Sequence, residues 1–144
     1  MPADLWSFAL ARYARPGVES ACLTLQAEGA DVCLLLCAAW LGARGVSCTA
    51  ARVGQLIALA NPWQSAVVSP LRQLRQTWKA EAASDTTLAE LREQVKALEL
   101  RAERELLRRL ESISADWPQD AGETTQGWLR ALAGFDHPAL RDLT

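Results

Sequence analysis

The sequence predicts an all-α fold, and three observations predict it. Leu, Ala, Arg, Glu and Gln are plentiful while Val, Ile, Tyr and Phe are scarce, a balance that favours helices over strands. Apolar residues recur in steps of three and four. The 8 Gly and 6 Pro of the 144 residues fall at intervals, as punctuation between elements. The expected architecture is a compact bundle of about six or seven helices around a central apolar helix at 31–43, with one long amphipathic charged helix at 87–115.

The first helix is expected at 5–14 behind an Asp4 cap, with Trp6, Leu10 and Tyr13 on one stripe and Leu5 and Phe8 beside it. "RPG" stops it, because Arg15 precedes a proline. Pro16 then opens a second helix at its first position, where Val18, Cys22 and Leu25 repeat at the helical period, up to a terminal Gly29. The third helix begins "DVCLLLCAAWL" with Asp31 as cap and Gly42 or Gly45 past its end. A helix apolar on nearly every side has to be surrounded by others.

Ser47 or Thr49 caps a fourth helix with Val53, Leu56, Ile57 and Ala60 turned inward. "NPWQ" at 61–64 reads as a new start, with Asn61 capping, Pro62 first and Gln64 reaching back. Pro70 either kinks this helix or restarts it. Beyond it Leu71, Leu74 and Trp78 line one face, and Arg72, Arg75 and Lys79 an adjacent one. "TLAE" at 87–90 reads as a capping box opening the long helix, with the stripe Leu88, Leu91, Val95, Leu98, Ala102, Leu106, Leu110 and Ile113. Pairs such as Glu93 with Lys96 and Glu105 with Arg109 support it. "PQDAGETTQG" is a polar linker; Trp128, Leu129, Leu132 and Phe135 make a short helix, and "DHPALRDLT" is a last turn or a frayed tail.

A length of 144 residues suits one domain, 1–144. Within it, 1–83 is the apolar core half, 84–117 the long charged helix and 118–144 the short C-terminal helix and tail. The net charge of −2 gives no global field toward nucleic acid or anionic lipid. The decamer Val32–Leu41 is about half the ~20 residues a membrane-spanning helix needs, and "MPADLWSFALARYARPG" has no secretory pattern. The expected setting is cytoplasmic, with no membrane partner and reduced cysteines.

"LWSFALARYARPGVESACLTLQ" (5–26), "GADVCLLLCAAWL" (29–41) and "SPLRQLRQTWK" (69–79) together resemble an uncharacterised family of small bacterial proteins, chiefly gammaproteobacterial, classed as a domain of unknown function. The resemblance covers roughly the first 100 residues. It implies a helical cytoplasmic bacterial protein and brings no activity, cofactor or catalytic residue with it.

No GxSxG, P-loop, GxGxxG or HExxH is present, so no catalytic residue and no cofactor is assigned. Cys22, Cys33, Cys37 and Cys48 could in number supply a tetrahedral zinc. They lack a CxxC knuckle, however, and read as small buried hydrophobes. His137, the lone histidine, reads as an exposed helix-start residue. The favoured function is a non-enzymatic protein-interaction or adaptor module, binding a protein partner or a second copy. Its surface would comprise Trp63, Arg72, Arg75, Trp78 and Lys79, with Leu100 and Leu107 left exposed off the long helix's stripe. One alternative is an RNA- or ribosome-associated factor using the Arg72/Arg75/Lys79 stripe. Another is an enzyme or small-ligand binder with a pocket near helices one and two, where Tyr13, Glu19, Glu28 and Asp31 lie.

Overall fold

The computed structural model describes residues 4–144. Eight α-helices, with a π-helical and a 3-10 segment, make up the described residues, which contain no strand. They are α1 (Leu5–Tyr13), α2 (Val18–Ala27), α3 (Val32–Ala43), α4 (Ala50–Trp63), α5 (Ser69–Thr77), α6 (Lys79–Ala82), α7 (Thr86–Ser114) and α8 (Thr125–Ala133). The π turn, Gln64–Val68, joins α4 to α5, and the 3-10 turn, Pro138–Leu143, ends the chain's ordered elements. Among the described residues no helix is long and apolar enough to cross a membrane.

Helix α3 is the axis, as its composition requires. Every residue from Cys33 to Gly42 is buried, and α1, α2, α4, α7, α8 and the 3-10 turn all pack on it. Asp31 caps it, accepting from Cys33 N at 2.9 Å. Its far end closes in a Schellman arrangement: Gly45 N donates to Gly42 O, Val46 N donates to Leu41 O, and Gly45 takes φ +71°. Gly42 therefore lies inside the helix, where it serves packing: a Cβ built there would fall on the main chain and hydroxyl of Thr125. Helix α8 sits close against α3 for that reason, with Trp128 fully buried and its Nε1 donating to Val46 O at 2.7 Å.

Several local expectations need correcting. Pro16 does not open α2. It is the second residue of a turn in which Val18 N donates to Arg15 O and Gly17 takes φ +83°, the geometry of a type II turn, which wants Pro then Gly. "NPWQ" does not start a helix either. Pro62 lies inside α4, which continues into the π turn, where Ser69 N donates to Gln64 O five residues back. The widened register just ahead of Pro70 relieves the clash its ring would make with a carbonyl four residues earlier. The long helix is capped by Asp85, accepting from Leu88 N at 3.1 Å, rather than by Thr87; a carboxylate two residues upstream is the stronger acceptor.

The buried arc of α7 is Val95, Glu99, Ala102, Leu106, Leu107, Leu110 and Ser114, while Leu91, Leu98 and Ile113 of the expected stripe are exposed. The helix is gripped from two sides, by α5 and by α1, α3 and α4, so the inward direction is not the one a single apolar stripe marks. Phe135 lies beyond α8, which ends at Gly134 with φ +83°. The C-terminal stretch is a packed turn: Leu140 and Leu143 are fully buried, and buried Arg12 donates to Leu143 O at 2.7 Å.

Candidate functional site

The fully buried face of α1 is Leu5, Ala9 and Arg12; of the stripe beside it, Trp6 and Tyr13 are half-buried against the core and Leu10 is exposed. These three stripe residues wall a cavity of about 360 Å³, within the range of small-molecule sites. Cys22, Leu23 and Gln26 of α2 form its second wall. Val32, Cys33 and Leu36 of α3 lie at its back, and Leu100 and Leu107 of α7 oppose α1. Leu10, Leu23 and Leu100 are each about half exposed and belong to this one pocket. Elsewhere on the surface, Leu74, Leu91, Leu98 and Ile113 are also exposed.

One side of the pocket is polar, built where α5 crosses α7. Arg75 Nε meets Glu99 Oε1 at 2.6 Å, and Arg72 Nε meets Glu99 Oε2 at 3.0 Å. Arg72 Nη2 also reaches Glu103 Oε2 at 3.4 Å, and the Gln26 amide lies 3.1 Å from both terminal nitrogens of Arg72, where only its oxygen, as acceptor, suits the guanidinium. Burial opposes the charge on Glu99, but hydrogen bonds from Arg75 and Arg72 outweigh it and hold the carboxyl below its ordinary range. Glu103 goes the other way. Burial first, and then the charge of Glu99, push its carboxyl up to about 6. Burial likewise raises the Tyr13 hydroxyl, with Glu103 among the charges acting on it.

The two thiols in the wall are poor nucleophiles. Burial pushes Cys22 up to about 11 and Cys33 well above the usual thiol range, so both stay protonated near neutrality. Cys37 is fully buried and Cys48 half-buried, away from this wall. Among the described residues no group of three or more His, Cys, Asp and Glu side chains is placed to hold a metal. His137 is half-buried, and its Nδ1 accepts from Ala139 N at 3.0 Å, capping the 3-10 turn.

The face expected from sequence is dispersed. Trp63 is half-buried against the core: its Nε1 donates to Ala102 O at 2.9 Å, and Arg109 lies over its ring at 4.0 Å. Arg72 and Arg75 turn toward Glu99, so they do not form a free basic stripe with exposed Lys79. Trp78 is half-buried. Leu107 is buried, because α7 is packed on two sides, whereas Leu100 is exposed as expected. Of the carboxylates placed near helices one and two, Glu19 and Glu28 are exposed and Asp31 caps α3. Tyr13 lines this pocket, whose acids are Glu99 and Glu103, and with Glu19 it also lines a second, more open depression between α1 and α2.

The carboxylates were missed because they read as solvated charges on a charged helix. A signal existed: Glu99 interrupts the buried arc between Val95 and Ala102, and an acid inside an apolar arc needs a partner from elsewhere. Arg72 and Arg75, one turn apart, are that partner.

The fold and site define an all-helical protein with a half-open, apolar-walled pocket carrying a compact cluster of opposite charges. The chain belongs to the family described as protein of unknown function (DUF2390), whose model matches residues 4–110. That stretch contains the whole pocket lining, from Trp6 to Leu107, and stops short of α8. Comparison with curated proteins and with solved structures returned no match.

Proposed function

We propose that the protein is a non-catalytic binding module that holds a small ligand between α1, α2 and α7. The observation that carries this reading is the cavity of about 360 Å³, with apolar walls and a few convergent polar groups. The raised thiols of Cys22 and Cys33 offer no activated nucleophile, which supports binding over covalent chemistry. We place the protein in the cytoplasm on the strength of its free cysteines.

Ligand-observed NMR with a mixed library of small amphipathic compounds tests the proposal. Leu23 sits at the mouth and is 55% exposed, so Leu23→Trp narrows the entrance without entering the core. Hits whose saturation transfer disappears in Leu23→Trp, at unchanged circular dichroism, support the pocket. If every hit survives the substitution, the site is wrong.

A second reading, a protein-interaction module, is favoured by the ring of Leu10, Leu23 and Leu100 around the same mouth. Its binding surface is then this rim rather than the Trp63–Lys79 face. Cross-linking in cells compares Leu10→Glu/Leu100→Glu with the control Leu74→Glu. A partner lost only from the first supports this reading.

A further inference from the structure

We infer that the ligand of this pocket is a small organic amine, an ammonium group on an apolar body, received by the Glu103 carboxylate with Tyr13 beside it. The inference rests on the pocket being a ligand site and adds the chemistry of the ligand.

Arg75 is committed to Glu99 through Nε at 2.6 Å and Nη2 at 3.3 Å. Arg72 spends its donors on Glu99, Glu103 and the Gln26 amide oxygen. Lys96, at the rim, pairs with Glu93 at 3.3 Å. Arg72 is the most fully engaged of the three, while Arg75 Nη1 and the exposed Lys96 ammonium keep donors to spare, so an anionic ligand is the competitor that the hexanoate probe below tests. The acceptors are less evenly served. Glu99 receives two guanidinium groups, whereas the side-chain oxygens of Glu103 have, among the described residues, one contact, at 3.4 Å from an Arg72 nitrogen shared with Gln26. A carboxylate can accept about four hydrogen bonds, so most of its capacity stays open.

The Tyr13 hydroxyl, in the same wall, has no hydrogen-bond partner among the described residues. A charge-assisted bond from an ammonium to Glu103 fills this gap. The ligand's apolar part then lies against Trp6, Leu36, Leu100 and Leu107. Arg72 stays locked to Glu99, which limits repulsion toward the incoming cation.

The test uses the full-length protein, with n-hexylamine, 2-phenylethylamine, 1-hexanol and hexanoate as probes in 15N chemical-shift titrations at pH 8. The two amines are expected to shift α1, α2 and α7 amides and to bind at least tenfold more tightly than hexanol, with hexanoate weakest. Glu103→Gln is expected to remove the amine's advantage while leaving hexanol binding intact, and Tyr13→Phe to reduce it in part. Equal binding of amine and hexanol overturns the amine assignment and leaves the pocket standing. Tighter binding of hexanoate overturns it in favour of the arginines. Tighter binding of the peptide acetyl-Leu-Lys-Leu-amide than of either free amine reassigns the site to a protein partner. If no probe shifts any pocket amide, the pocket reading and the amine assignment both fail.

Discussion

Arg75 and Glu99 form a two-point contact between α5 and α7, with Nε at 2.6 Å from Oε1 and Nη2 at 3.3 Å from Oε2. Glu99 is only 6% exposed and also receives Arg72. Removing it strands Arg75 in a shielded crossing and leaves Arg72 with only the longer Glu103 contact and Gln26. Glu99→Ala is expected to cost about 3–5 kcal/mol, the usual penalty for an uncompensated buried charge. Urea unfolding at pH 7 checks this. The triple variant Arg72→Met/Arg75→Met/Glu99→Leu, which removes the charges together, is expected to recover much of that loss.

Glu103 gives a pH dependence of definite sign. Its carboxyl is raised from 4.5 to about 6 in the folded protein. Between those values the folded state keeps a proton that the unfolded chain has released. Stability from this group is therefore full at the acid end and falls as pH rises through 6, leaving a penalty of about 2 kcal/mol above it. Glu103→Gln carries no such penalty. Denaturant titrations should find the variant more stable than the parent by up to about 2 kcal/mol at pH 8, with the gap closing near pH 4. A constant gap across that range would show that burial is not the cause.

Gly42 is where α3 meets α8. An added methyl group falls on the Cα of Thr125 as well as on its side chain, so α8 has to move. Gly42→Ala is expected to destabilise by about 1–3 kcal/mol, as overpacking does, despite alanine's better helix propensity. Thermal unfolding measures it. Thr125→Ala is not expected to rescue it, because the Thr125 backbone remains in the way.

Arg12 is buried on α1, lies over the Phe8 ring at 4.6 Å and donates to Leu143 O. Arg12→Met keeps the bulk and loses the donor. A stability loss of about 1–3 kcal/mol is expected from the orphaned carbonyl. Hydrogen exchange should show its effect concentrated in 138–144 and α2, which packs on that turn.

These cases show which parts of the fold were legible in the amino-acid sequence. Helix α3 was readable because ten consecutive apolar residues admit only a surrounded position. Caps at Asp4, Asp31 and Thr49 were readable because each rests on a local hydrogen bond. The pairs Glu93–Lys96 and Glu105–Arg109 formed for the same reason. The crossing of α5 over α7 was not readable. It is a relation between residues some 24 to 31 positions apart, and nothing in either segment alone distinguishes an acid bound to arginine from one in water. The same crossing decides the site. Tyr13 and the vicinity of helices one and two were found, while the carboxylates that complete the pocket lie on the helix expected to be solvated. Trp63 misled because a tryptophan beside arginines reads as a surface anchor, and only the tertiary acceptor Ala102 O shows its indole to be turned inward onto α7.

The π turn at 64–68 amounts to one residue more than an α-helical path between Pro62 and Pro70 would contain. An α-helix turns about 100° per residue, and a π turn, closed five residues back, turns less, so the five residues Gln64–Val68 advance the chain by about the angle of four α-helical ones. The extra residue is absorbed where it stands, and Arg72 and Arg75 keep the phase that meets Glu99. A residue added or removed in the regular turns on either side has no such outlet and would swing α5 by more than a quarter of a revolution, carrying the arginines off α7.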